Sequence, residues 1–114
     1  MGFLLDYELY ATEIYYQDKE FTPKQLGEYF DRTEKQTFAD QKHIKKVTDI
    51  SRKLLTGIIS KHNTKLDDTL EAKTSSVGRE LAHLALLHCD MCWLISLDSE
   101  NFEKHLNDYS AWVK

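Results

Sequence analysis

Apolar residues recur along this chain three and four positions apart, the period that gathers side chains on one face of an α-helix. Near the N-terminus Phe3, Tyr7, Tyr10 and Ile14 make one such stripe, with Leu4 and Ala11 beside it. Leu5, Leu9 and Tyr16 make a second, so the helix predicted over 3–17 carries more apolar surface than one contact uses. The pattern halts at Phe21–Pro23. Thr22 suits an N-cap, Pro23 the first helical position and Gln25 the return bond of a capping box. Phe21 and Leu26 are spaced as a hydrophobic staple. A short helix over 23–30 follows, with Leu26, Tyr29 and Phe30 inward.

Thr33 and Gln36 repeat the capping pattern and predict a long helix over 34–62. Ile44, Val47, Leu54, Leu55, Ile58 and Ile59 mark its inner face, with Ser51 and His62 among them. Lys42, Lys46 and Lys53 fall opposite, and Gly57 marks close packing or a kink. Asn63 suits a helix stop. Residues 62–75 are the least apolar segment, which predicts the most mobile connection, with a short helix capped by Asp67 or Asp68 through Ala72.

Ser76–Leu97 is the longest apolar stretch, and the remaining helices are expected to gather around it. At 100° per residue Val77, Leu81, Leu84, His88, Cys92 and Ile95 share one sector, flanked by Ala85, Leu87 and Met91. Leu86, Trp93 and Leu97 fall on the far side with Arg79, His83 and Asp90. That second stripe is either covered by the chain's own helices or an exposed contact patch. Asp98 or Ser99 caps a last helix over 100–113, with Phe102, Leu106, Tyr109 and Val113 inward and His105 and Trp112 adjacent. Strand-like runs are missing, so the expected fold is all-α, a single-domain bundle of four to five helices spanning residues 1–114.

Composition changes this picture in one respect. The 114 residues suffice for a single core, and 41% hydrophobic with 30% charged residues is ordinary for a globular domain. The net charge of −4 hides a segregation: residues 1–31 and 66–114 are acidic, and 32–65 carry nine basic residues against three acids. Packing of oppositely charged neighbouring helices is the simplest expectation. An acidic total also speaks against nucleic acid or anionic membrane as a partner. The N-terminus lacks the basic start of a secretory signal, and Asp6 stands where a myristoylation motif wants Ser or Thr. Arg79, Glu80, His83, His88 and Asp90 speak against a membrane span in Ser76–Leu97. Two cysteines without an export signal predict a cytoplasmic protein with reduced thiols.

Candidate chemistry is sparse. Cys89 and Cys92 have a zinc-ligand spacing and His88 lies beside them, yet no second ligand cluster accompanies them. Two core thiols and a hydrogen-bonded His88 are expected instead, with no metal and no cofactor. Glycine-rich phosphate loops, nucleophile elbows and His-Glu-x-x-His are missing, so no catalytic residue is assigned and an enzyme is not expected. The stretch Thr22–Val47 resembles a helix-turn-helix: Leu26 stands at a buried position, Gly27 lets two helices approach, and Thr33 caps the second. The resemblance implies DNA phosphate contacts from Lys35, Lys42, Lys45 and Lys46, although Arg32 occupies an apolar turn position.

The leading expectation is a small protein-binding module of the inhibitor, immunity or anti-defence kind. Its anchors would be Leu86, Trp93, Leu97 and Trp112, with Asp98, Glu100, Glu103 and Asp108 steering it onto a basic partner such as a toxin or nuclease. The alternative is a nucleic-acid-binding regulator using Thr22–Val47, and homo-oligomerisation through the second stripe is a third arrangement.

Overall fold

In the computed structural model the described backbone covers residues 6–36 and 39–112. It contains α1 (Asp6–Tyr15), α2 (Pro23–Gln36), α3 (Gln41–Lys61), α4 (Ser76–Leu97), a 3₁₀ turn (Ser99–Asn101) and α5 (Phe102–Trp112). The predicted inward positions Phe3, Leu4 and Val113, the outer-stripe Leu5, and the side chains of Tyr7 and Trp112 lie outside the described residues. The all-α bundle stands. α4 packs against α1, α2, α3 and α5, and the shortest dimension of the molecule, 20 Å, is two helix diameters.

The inner face assigned to α4 is the buried one. Leu81, His88, Cys92 and Ile95 are fully enclosed, and Val77 and Leu84 nearly so. Each large apolar side chain enclosed in this way stabilises the fold by about 1.5–3 kcal/mol. From α1 come Ala11 and Ile14, from α2 Leu26, Tyr29 and Phe30, from α3 Ile44, Val47 and Leu55, and from α5 Phe102 and Tyr109. The outer stripe of α1 is exposed at Leu9 and Tyr16.

The start of α2 forms as its local chemistry dictates. Thr22 N donates to Gln25 Oε1 at 3.0 Å and Gln25 N donates to Thr22 Oγ1 at 3.1 Å, while Phe21 and Leu26 on either side are buried. Its end does not follow the sequence expectation. Thr33 is no cap; it lies inside α2, which continues to Gln36, and α3 begins at Gln41 under an Asp40 cap whose carboxylate accepts from Lys42 N at 2.8 Å. No Gly or Pro interrupts residues 31–35, and tertiary contacts hold this turn in helix. Asp31 pairs with Arg52 of α3, and the Arg32 guanidinium lies 5.5 Å and 5.9 Å from the ring centres of Tyr10 and Tyr29.

The segment expected to be most mobile is tied down. Phe21 and Leu70 exchange two backbone hydrogen bonds (3.0 and 2.7 Å), Lys24 N donates to Leu66 O, and Lys73 N donates to the Asp18 carboxylate. No helix forms over 67–72; Leu70 and Ala72 turn inward instead. Asn63 does stop α3, with a left-handed φ of 55°. Gly57 serves no close packing, since a Cβ there would meet nothing within 4 Å, and α3 continues through it. Gly27 faces Leu55, but an added Cβ would sit at an ordinary 3.7 Å.

Candidate functional site

Three places in the bundle concentrate polar chemistry. The first lies inside it. His88 Nε2 is 2.8 Å from Thr33 Oγ1, His88 Nδ1 is 2.6 Å from Ser51 Oγ, and Ser51 Oγ is 2.6 Å from Tyr109 Oη. One residue comes from each of α2, α3, α4 and α5. Hydrogen-bond capacity gives the chain a direction. Thr33 donates its hydroxyl hydrogen to Phe30 O at 2.7 Å, so its oxygen meets Nε2 as an acceptor and the imidazole is the Nε2–H tautomer. Nδ1 then accepts from Ser51, and Ser51 accepts from Tyr109. Burial alone pushes the His88 pKa down to about 3, and burial also raises the Cys92 thiol and the Tyr109 hydroxyl. Every member is therefore neutral.

A serine 2.6 Å from a histidine invites comparison with a nucleophile and its base. Both residues are fully enclosed, and the imidazole's other nitrogen faces a hydroxyl rather than an orienting carboxylate. No substrate reaches this pair in the folded bundle. Its chemical work is to satisfy polar groups that would each cost about 1–3 kcal/mol if buried without partners. Cys89 and Cys92 are buried beside it and are not joined in a disulfide.

The second place is the corner where α4 meets α5. Leu97 is 78% exposed at the end of α4, and Trp93, one turn earlier, is half-buried against the core. Leu86 is likewise half-buried and packed on the core, so the stripe is covered along most of its length and open at its end. Asp98 is occupied locally: it accepts from Asn101 Nδ2 and from His105 Nε2 at 3.0 Å, and these bonds hold its carboxyl below the usual range. Glu100 and Glu103 are exposed and Asp108 is partly buried; among the described residues none of the three forms an ion pair.

The third place is the outer face of α3. Lys42, Lys45 and Lys46, with Lys35 at the end of α2, are exposed and form no ion pair among the described residues. Lys46 lies 5.7 Å from the Phe102 ring, which stacks on His43 at 3.9 Å, so the lysines border the acidic start of α5. The expected pairing between oppositely charged segments is present at Arg52–Asp31 and where Glu80 meets Lys61 and His62. The helix-turn-helix is not formed as read, because α2 is helical through residues 31–33 and α3 begins only at Gln41 and runs for 21 residues.

Two features escaped sequence reasoning. A groove of about 280 Å³ opens between α3 and α4, with Leu54, Ile58, Leu84 and Leu87 inside and Lys61, Glu80 and His83 at its rim. Thr33 was missed as a partner of His88 because its capping signal is locally valid; Ser51 and Tyr109 stood on inner faces, the signal that they share a buried layer. Ser76–Leu97 is long and apolar enough by length and composition to cross a membrane, and half of that window is buried here as the core helix of the bundle. The chain matches no known family, no curated protein and no solved structure.

Proposed function

We propose that this chain is a small cytoplasmic protein-binding module, of the inhibitor or immunity kind, that meets a basic partner with the α4–α5 corner. The observation that carries the reading is Leu97, a large apolar side chain 78% exposed beside the half-buried Trp93 and the exposed Glu100 and Glu103. An apolar centre rimmed by like charges is the arrangement in which burial supplies affinity and the rim steers encounter. Asp98 supports the corner by bracing it rather than by contact. The buried serine–histidine pair gives no accessible catalytic group, which supports binding over catalysis.

The test uses the tagged chain to recover its partner, followed by affinity measurements on variants. Leu97→Asp is expected to weaken binding at least tenfold with unchanged helix content. Glu100→Lys with Glu103→Lys is expected to slow association and flatten its salt dependence. Wild-type affinity in both variants sinks the proposal.

A further inference from the structure

The geometry points to His88 as an acid-sensitive latch: the closed bundle holds only the neutral imidazole, and protonating it unlocks α2, α3, α4 and α5 together. The inference goes beyond the partner reading and does not depend on it. In the closed state Tyr109 donates to Ser51, Ser51 to His88 Nδ1, His88 Nε2–H to Thr33, and Thr33 to Phe30 O. A proton on Nδ1 sets a donor against a donor. Ser51 then has to reverse and pass its hydrogen toward Tyr109, whose own hydrogen has no other acceptor among the described residues. Tyr109, Ser51, His88 and Thr33 are all fully enclosed, so no water takes up the loose end.

No counter-charge stabilises the cation. From α2, His88 faces the Phe30 ring at 4.5 Å, the Tyr29 ring at 5.8 Å and the Thr33 hydroxyl. From α3 it faces Ser51. Tyr109, from α5, reaches it through Ser51, and Cys92 lies one turn along α4. Tyr109 and Cys92 are titratable, but burial raises both and keeps them neutral at the pH values concerned. α1 reaches this layer through Tyr10, stacked on Tyr29 at 4.7 Å. Among the described residues no carboxylate enters the layer, and desolvation by burial is what lowers the imidazole pKa.

The sign follows from proton counting. An unfolded histidine takes up its proton near 6.5, while His88 in the bundle does so only near 3. Between these values the unfolded chain binds more protons, so the folding constant falls as pH falls, by at most about tenfold per pH unit. Above pH 6.5 the latch contributes its full stability.

The experiment is urea unfolding of the whole chain at pH 7.5, 6.5, 5.5 and 4.5, for wild type and His88→Gln, whose amide bonds without titrating. Protonation at His88 is expected to lower the wild-type folding constant about 50-fold between pH 6.5 and 4.5, short of the tenfold-per-unit bound because half of the unfolded histidine is already protonated at pH 6.5. His88→Gln is expected to start weaker at pH 7.5 and lose much less across the same interval. Equal pH slopes in the two proteins overturn the inference. A second readout does not depend on the variant folding: NMR of the wild-type imidazoles. His88 is expected to remain a neutral Nε2–H ring at pH 5, and titration near 6.5 in the folded protein overturns the latch.

Discussion

Two glycines show how differently one added methyl group is received. At Gly78, in the first turn of α4, a Cβ would fall 2.3 Å from the Glu71 carbonyl oxygen and 2.8 Å from its carbon. Backbone is what it meets, so the loop carrying Leu70 and Ala72 would have to lift off the helix. Gly78→Ala is expected to cost roughly 2–4 kcal/mol, in the range of other severe packing defects. At Gly57 nothing lies within 4 Å, and Ala there is expected to add up to about 1 kcal/mol through helix propensity. Urea midpoints of the two variants check both signs. The hydroxyl chain gives a second comparison. Thr33→Val removes the acceptor of His88 Nε2–H and strands a buried donor, expected to cost about 1–3 kcal/mol. Tyr109→Phe removes only the terminal donor, and Ser51 still bonds His88, so its cost is expected to be smaller, about 1 kcal/mol. Equal costs would mean that the chain does not run in the direction assigned.

At the scale of elements, local signals sufficed where the deciding contacts are local. The Thr22–Gln25 box, the Asn63 stop and the inner face of α4 each depend on residues within a turn or two, and each forms as read. The end of α2 was not legible because two valid local options competed there. Thr33 can cap a helix or sit inside one, and the choice is made by His88, 55 residues away, and by the Arg52–Asp31 pair. The connection over 62–75 misled for a related reason. Its polarity suits a solvated loop, yet its main chain is bonded to residues near α2 through Phe21–Leu70 and Lys24–Leu66. Of the candidate site, Leu97 was legible from the helical wheel, whereas the cover over Leu86 and Trp93 depends on packing between helices. Hydrogen exchange checks the reassigned loop: the Phe21 and Leu70 amides are expected to be protected like helix interiors, while the exposed Asp67 and Thr69 amides exchange fast. Fast exchange at Leu70 would restore the mobile loop.

For the molecule as a whole, α4 makes the five helices one cooperative unit. α1, α2, α3 and α5 all pack on it, and the His88 chain requires four of them to be in place at once. α5 is short, 11 residues, and helices of that length are marginal in water on their own. Its order comes from packing on α4 together with two contacts to α3, Phe102 stacked on His43 and Tyr109 bonded to Ser51. Partial unfolding of α5 would therefore leave Ser51 without its donor and open the buried layer. This predicts a single two-state transition. Trp93 lies in α4 and Trp112 is the last residue of α5, so fluorescence reports these two helices while far-UV circular dichroism reports all five. The urea curves from the two probes are expected to superimpose, in wild type and in Tyr109→Phe alike. A fluorescence midpoint well below the circular dichroism midpoint would show α5 leaving first, and the proposed partner-binding corner would then be a separately folding element rather than a rigid edge of the core.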